Sequence, residues 1–245
     1  LLLGRAARSV VRRFGRGGGS AVPGLVAGAL APGLVERLAL QPGHGVVTIT
    51  GTNGKTTTTH LLAAIVRAVG IDPLTNSSGS NLERGLIAMY SGQVDGRGLL
   101  PDATHRVGLF EVDEAALARL IPRLRPRLAV YLNLFRDQLD RYGEVDSVAE
   151  GWARSLDQLE IPPTLVLNAD DPAVAQLAEH AGAQRARVIT FGVEDDAVAL
   201  AHAEHASDAR FCTCGARFTY DAIYMSHVGR WRCASCGRAR AVPDV

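Results

Sequence analysis

The chain has 245 residues, 47% of them hydrophobic and 21% charged, with 26 Lys+Arg against 25 Asp+Glu and a formal net charge of +1. That is too apolar for a disordered chain, and the charge balance argues against a nucleic-acid binder working through its global field. No run approaches the roughly 20 apolar residues that cross a bilayer, so a soluble protein is expected.

Within the basic set, Lys55 is the single lysine. Such a bias exchanges Lys for Arg wherever either serves, so the survivor marks a place where a planar fork cannot replace a compact ammonium. The chain opens on Leu1 rather than Met and ends on Val242-Pro243-Asp244-Val245, which reads as a piece of a longer chain.

Residues 1–43 form a basic N-terminal segment. Arg5, Arg8, Arg12, Arg13 and Arg16 precede Gly17-Gly18-Gly19, and Leu3, Ala7, Val10, Val11 and Phe14 recur at helical spacing. A short helix packed on the main domain is expected, with peripheral contact to an anionic membrane surface as the sharper alternative. Its apolar part is too short and too charged for a secretion signal.

Residues 44–207 alternate short apolar runs with helical stretches. The runs begin at Val46-Val47-Thr48-Ile49, Val107-Gly108-Leu109-Phe110-Glu111-Val112, Leu128-Ala129-Val130-Tyr131-Leu132, Leu165-Val166-Leu167 and Val188-Ile189-Thr190-Phe191. After the first run a helix from about Thr56 should bury Leu61, Leu62, Ile65, Val66 and Val69 and stop at Gly70. Apolar strands alternating with helices predict an α/β fold with a mostly parallel sheet, whose ligands lie beyond the carboxyl ends of the strands.

The turn after the first strand reads Thr50-Gly51-Thr52-Asn53-Gly54-Lys55-Thr56-Thr57. Its glycines allow a tight turn, so that the N–H groups of Thr52, Asn53, Gly54, Lys55, Thr56 and Thr57 can point at phosphate oxygens. Lys55 would neutralise the terminal phosphates of ATP, and the Thr56 hydroxyl would ligate Mg²⁺. Ile49 stands where the common phosphate-loop pattern has its first glycine, and a Gly-rich turn without a ligand is the bland alternative. Asn133, Arg136 and Asn168, at strand ends, are candidates for adenine or ribose contact, or simply turn formers. Asp170 and Asp171 read as an N-cap pair for the helix after Pro172, and Asp113 and Glu114 as first-turn acids.

Residues 208–241 change texture. Cys212-Thr213-Cys214-Gly215 and Cys233-Ala234-Ser235-Cys236-Gly237 are two close pairs inside an aromatic-rich β unit, a spacing that suits a closed, structural four-cysteine Zn²⁺ ribbon. Two disulfides or buried thiols are the alternatives. If all four cysteines hold zinc, none remains as a glutaminase nucleophile, so ammonia drawn from glutamine must be made elsewhere.

The loop Gly51-Thr52-Asn53-Gly54-Lys55-Thr56-Thr57 resembles the ATP loop of the Mur ligase superfamily. Glu111-Val112-Asp113-Glu114, the segment Asn133 to Gly143, and Leu167-Asn168-Ala169-Asp170-Asp171-Pro172 resemble three further segments of those ligases. The resemblance implies a Mur ligase central domain, with Lys55 and Glu111 serving phosphoryl transfer and Glu111 holding magnesium. Gln138 and Tyr142 stand where peptide-forming members carry histidines. No lysine after Lys55 offers the carbamate those members use, and the N-terminal stretch leaves no room for a UDP-binding domain. With Gly15-Arg16-Gly17-Gly18-Gly19, Asn76-Ser77-Ser78-Gly79-Ser80-Asn81 and the inserted cysteine unit, the chain is similar to one branch, the MurT subunits of lipid II isoglutaminyl synthase.

That branch implies amidation of the D-glutamate α-carboxylate of lipid II at the cytoplasmic face of a bacterial membrane. Ammonia would come from a GatD-type glutaminase partner, and a C-terminal ligase domain would lie outside this chain. A folylpolyglutamate synthase-like ligase and a non-catalytic ATP-binding scaffold are the competing readings.

Overall fold

A computed structural model describes residues 33–76, 83–135, 144–183, 186–200 and 211–245. The expected N-terminal helix, the run of residues 77–82, Arg136 and the segment through Gly143 lie outside the described residues. The chain forms two compact units, one taking in residues up to Thr50 and Gly54–Ala129, the other Gly51–Asn53 and Val130–Val245. One six-stranded sheet has the order β2-β3-β1-β4-β5-β6, with β4 at Leu128–Tyr131, and a separate hairpin pairs β7 with β8. None of the described helices is long and apolar enough to cross a membrane.

In the first unit, β1 (Val46–Thr50), β2 (Asp72–Thr75) and β3 (Arg106–Glu111) run parallel, with Ile49 beside Glu111 and Asp72 beside Arg106. Parallel strands covered on both faces must be apolar throughout, which is why β1 and β3 are legible as runs. The sequence reading missed β2. Its Asp-Pro start is tolerated only at a sheet edge, where Pro73 need not donate to a second neighbour.

Helix α1 (Leu34–Ala39) packs on α3 (Glu83–Ser91) and α4 (Glu114–Leu124), burying Leu34, Val35, Leu38, Leu86, Ile87, Leu117, Leu120 and Ile121. Tyr90 meets Phe110 edge-on at 5.7 Å. Asp113 caps α4 by accepting from Ala115 N–H. Helix α2 (Lys55–Ala68) corrects the sequence reading of its buried face. Thr59 and Ala63 are buried, Leu62 and Val66 half-buried, and Leu61, Ile65 and Val69 exposed. The helix packs against β1, β2 and β3 through small residues, so the bulky stripe turns outward.

In the second unit, β5 (Thr164–Asn168) and β6 (Val188–Phe191) pair in parallel, with Asn168 beside Phe191. They are accompanied by α5 (Glu144–Asp157), α6 (Pro172–Ala175) and α7 (Leu177–Ala183). Trp152 of α5 meets Tyr131 edge-on at 5.2 Å. The antiparallel hairpin β7 (Phe218–Met225) and β8 (Val228–Cys233) carries the cysteine unit at its open end.

Candidate functional site

In the first unit, α2 begins directly on Lys55, after Gly54 at φ 87°, with no side chain capping the first turn. An uncapped helix start offers its N–H groups and positive dipole end to an anion. The Thr56 hydroxyl donates to Glu111 Oε2 at 2.8 Å. Glu111 ends β3 with only 1% exposure, and its Oε1 is buried with no hydrogen-bond partner among the described residues. A buried carboxylate oxygen without a donor calls for a cation, and a carboxylate beside a hydroxyl is an oxygen set that suits Mg²⁺. Residues Thr56 and Glu111 therefore fit the metal that the resemblance implies.

Two partners in this cluster escaped the sequence reading. Asn76, just past β2, clamps the Glu111 backbone: its Oδ1 accepts from Glu111 N–H and its Nδ2 donates to Glu111 C=O, both at 2.9 Å. Glu114 lies 3.3 Å from Lys55 Nζ. The one sequence signal at Asn76 was its place in the Asn76-Ser77-Ser78-Gly79-Ser80-Asn81 segment, since β2 has no apolar run to mark it.

In the second unit, Gly51 has φ 141°, and a Cβ there would lie 2.9 Å from Asn133 N and from Leu132 Cβ. Only glycine fits. The Thr52 hydroxyl accepts from Phe135 N–H at 2.9 Å and donates to Phe135 C=O at 3.2 Å. Asn133 Oδ1 accepts from Asn53 N–H at 2.8 Å, while its Nδ2 donates to Asn53 C=O at 3.1 Å. Asn168 donates to Leu132 C=O at 2.8 Å and accepts from Asp170 N–H at 2.9 Å. Both asparagines thus brace backbone. Asp171 is fully buried; its Oδ1 caps α6 through Ala173 N–H, and its Oδ2 accepts from Leu134 N–H at 2.7 Å.

The predicted site residues therefore fall in two groups. Gly54, Lys55, Thr56, Thr57 and Glu111 belong to one unit, and Thr52, Asn53, Asn133 and Asn168 to the other, the loop being continuous in sequence.

The four cysteines converge. Sγ of Cys212, Cys214, Cys233 and Cys236 all lie within 4.8 Å of one another, and all four are free thiols. The Cys212–Cys236 and Cys214–Cys233 sulfurs are 3.6 and 3.5 Å apart. Zinc at about 2.3 Å from each sulfur places tetrahedral ligands about 3.8 Å apart, so the cluster fits.

Burial works to raise the Cys212 thiol, but the Cys214 N–H and the three neighbouring thiols outweigh it and hold it at about 6. The Arg238 N–H works to lower Cys236, yet the Cys233 and Cys212 sulfurs push it up to about 11.

A Mur ligase middle domain signature matches residues 49–229. The chain is 31% identical over 242 residues to the MurT subunit of lipid II isoglutaminyl synthase (glutamine-hydrolyzing) from Staphylococcus aureus strain COL, covering 97% of this chain and 51% of that protein. Similarity to the MurT subunit of Streptococcus pneumoniae strain R6 is 31% over 100% of this chain and 51% of the relative. The chain thus spans about half the length of these curated relatives. A solved MurF from Acinetobacter baumannii superposes with a TM-score of 0.52 at 20% identity, covering 71% of this chain and 36% of that one, which supports the fold. With the signature running from the end of β1 into the start of β8, this chain belongs to the Mur ligase family and carries its middle domain.

Proposed function

We propose that this chain is the nucleotide-binding part of an ATP-dependent carbon–nitrogen ligase of peptidoglycan synthesis, one that amidates the D-glutamate α-carboxylate of lipid II. The observation that carries the reading is the Thr56–Glu111 pair, with one Glu111 oxygen left without a donor, beside the lone Lys55 at the open start of α2. Similarity to MurT subunits over the whole chain supports the choice of substrate.

An ionised carboxylate cannot lose oxide to ammonia. ATP with Mg²⁺ supplies a phosphoryl group that makes an acyl phosphate, whose phosphate is then a competent leaving group. Lys55 holds the terminal phosphates as a point charge, and releases Glu114 to do so. Thr56 and Glu111 would hold Mg²⁺, which would neutralise charge on the phosphates, and Asn76 keeps Glu111 in register. The N–H groups of residues 52–57 take up charge that grows on the transferring oxygens.

The four cysteines hold a structural zinc, which leaves these 245 residues with no thiol for glutamine hydrolysis; a GatD-type glutaminase partner supplies the ammonia. The acceptor's own contacts come from elsewhere in the full-length protein.

The test incubates full-length protein and glutaminase with glutamine, ATP and lipid II, and reads the product by mass spectrometry. A mass decrease matching replacement of a hydroxyl by an amino group is expected. Lys55→Arg should weaken ATP binding by at least about tenfold, since a fork is a poor substitute for a point charge. Unchanged ATP affinity in that variant, or an amide formed without ATP consumption, refutes the reading.

A further inference from the structure

The hairpin β7–β8 ends in a turn that is buried, although hairpin turns normally face water. Ser226, at φ 51°, and His227 form it, and His227 has no exposure at all. Three residues spaced by two along the turn and β8 meet three consecutive residues of the turn after β5, two through side chains and Gly229 through its backbone N–H. Trp231 Nε1 donates to Ala169 C=O at 2.9 Å, Gly229 N–H donates to Asp170 C=O at 2.9 Å, and His227 Nε2 lies 3.3 Å from Asp171 Oδ2. The period-2 alternation of a strand makes such a register.

Asp171 Oδ2 is the same atom that accepts from Leu134 N–H. The residues flanking Leu134 grip the phosphate loop, Asn133 through Asn53 and Phe135 through Thr52. The His227 ring also lies against Phe135, centroids 4.8 Å apart. Both ring nitrogens of His227 are buried with no hydrogen-bond partner among the described residues, Nε2 meeting Asp171 only as a close polar contact, a costly arrangement for a residue that only fills space.

We propose that His227 is a positioning residue for nucleotide binding, acting through Asp171 and the Asn133–Phe135 segment on Thr52 and Asn53. The hairpin is then an arm: its open end is tied by the cysteines, and its buried tip holds the loop's support in place over about 17 Å from Cys233 to Val228. This rests on the nucleotide reading of the loop, while His227 itself touches no phosphate.

The experiment measures binding of a non-hydrolysable ATP analogue with Mg²⁺ to the full-length complex by calorimetry, alongside zinc content and melting temperature. His227→Leu fills the space without a polar group, and His227→Gln retains an N–H donor for Asp171. Leu should bind nucleotide about tenfold more weakly with zinc content unchanged, because the buried Asp171 carboxylate keeps its backbone donors but loses the polar ring beside Oδ2, and Gln should recover most of that loss. A merely structural role would make the two variants alike, or favour Leu.

If His227→Leu does not fold, His227→Asn, one methylene shorter than Gln, takes its place and should bind more weakly than Gln. Wild-type affinity in Leu or Asn overturns the proposal. Lys55→Ala separates the two claims. Nucleotide binding lost there but intact in every His227 variant sinks only the arm, whereas binding absent from wild type or unaffected by Lys55→Ala sinks the nucleotide reading and the arm with it.

Discussion

Lys55 stands out as the single lysine of the sequence, but its resting partner does not. Glu114 looks like an ordinary first-turn acid of α4, and only the approach of β3 to α2 brings its carboxylate to 3.3 Å from the ammonium. Asn76 is a similar case, ordinary in sequence and clamped to Glu111 by the pairing of β2 with β3.

Ion pairs of arginine show the same dependence on packing. Arg123 of α4 donates to Glu36 of α1 at 2.6 Å and also pairs with Glu83 of α3 at 2.7 Å. The hydrogen bond from Arg123, working against burial, holds the Glu36 carboxyl below its ordinary 4.5. A carboxyl whose folded pKa is lowered stabilises the fold above its ordinary pKa, and that stabilisation is lost as pH falls through the lowered value. Glu36→Gln should therefore cost on the order of 0.5 kcal/mol at pH 7, the carboxylate being partly exposed. The gap from wild type should close in acid, once the pH has fallen below the lowered value. Urea unfolding of both proteins at pH 7 and in acid checks this, and a gap that persists in acid contradicts it.

At the scale of elements, hydrophobic periodicity located the buried strands and misjudged α2. Leu61, Ile65 and Val69 form a regular stripe, yet Thr59 and Ala63 face the sheet. Periodicity reports which residues share a face; the separation between helix and sheet decides which face goes inward. Edge strand β2 had no apolar run to report it.

The cysteine unit was legible from spacing, because two short-spaced pairs have few other uses. Its engagement with Ala169, Asp170 and Asp171 was not, since those contacts join residues about sixty positions apart. Zinc analysis should return one ion per chain. Removing it with a chelator, or lowering the pH so that the thiolates reprotonate, should drop the melting temperature by at least about 5 °C, because structural zinc contributes folding free energy directly. Metal-free protein with unaltered melting argues against a structural ion.

For the whole molecule, the share of length matters most. The chain spans about half of its curated MurT relatives, and catalysis of acyl transfer depends on holding the acceptor against the phosphoryl group. The 245 residues alone are expected to bind ATP but to leave lipid II unamidated when given ammonium and ATP, with mass spectrometry as the readout. Amide formed by this piece alone would place the whole reaction within it.

By itself the sequence determined the chemistry that is local along the chain: the glycine turn with its lysine, the alternation that makes a parallel α/β sheet, and the paired cysteines. Each of these depends on neighbours a few residues apart, where spacing and backbone sterics suffice. Only the tertiary structure decided which groups meet across long stretches, such as Asn76 with Glu111, Lys55 with Glu114, and His227 with Asp171. Those meetings follow from strand order, helix seating and hairpin register, which are settled by packing all the elements at once.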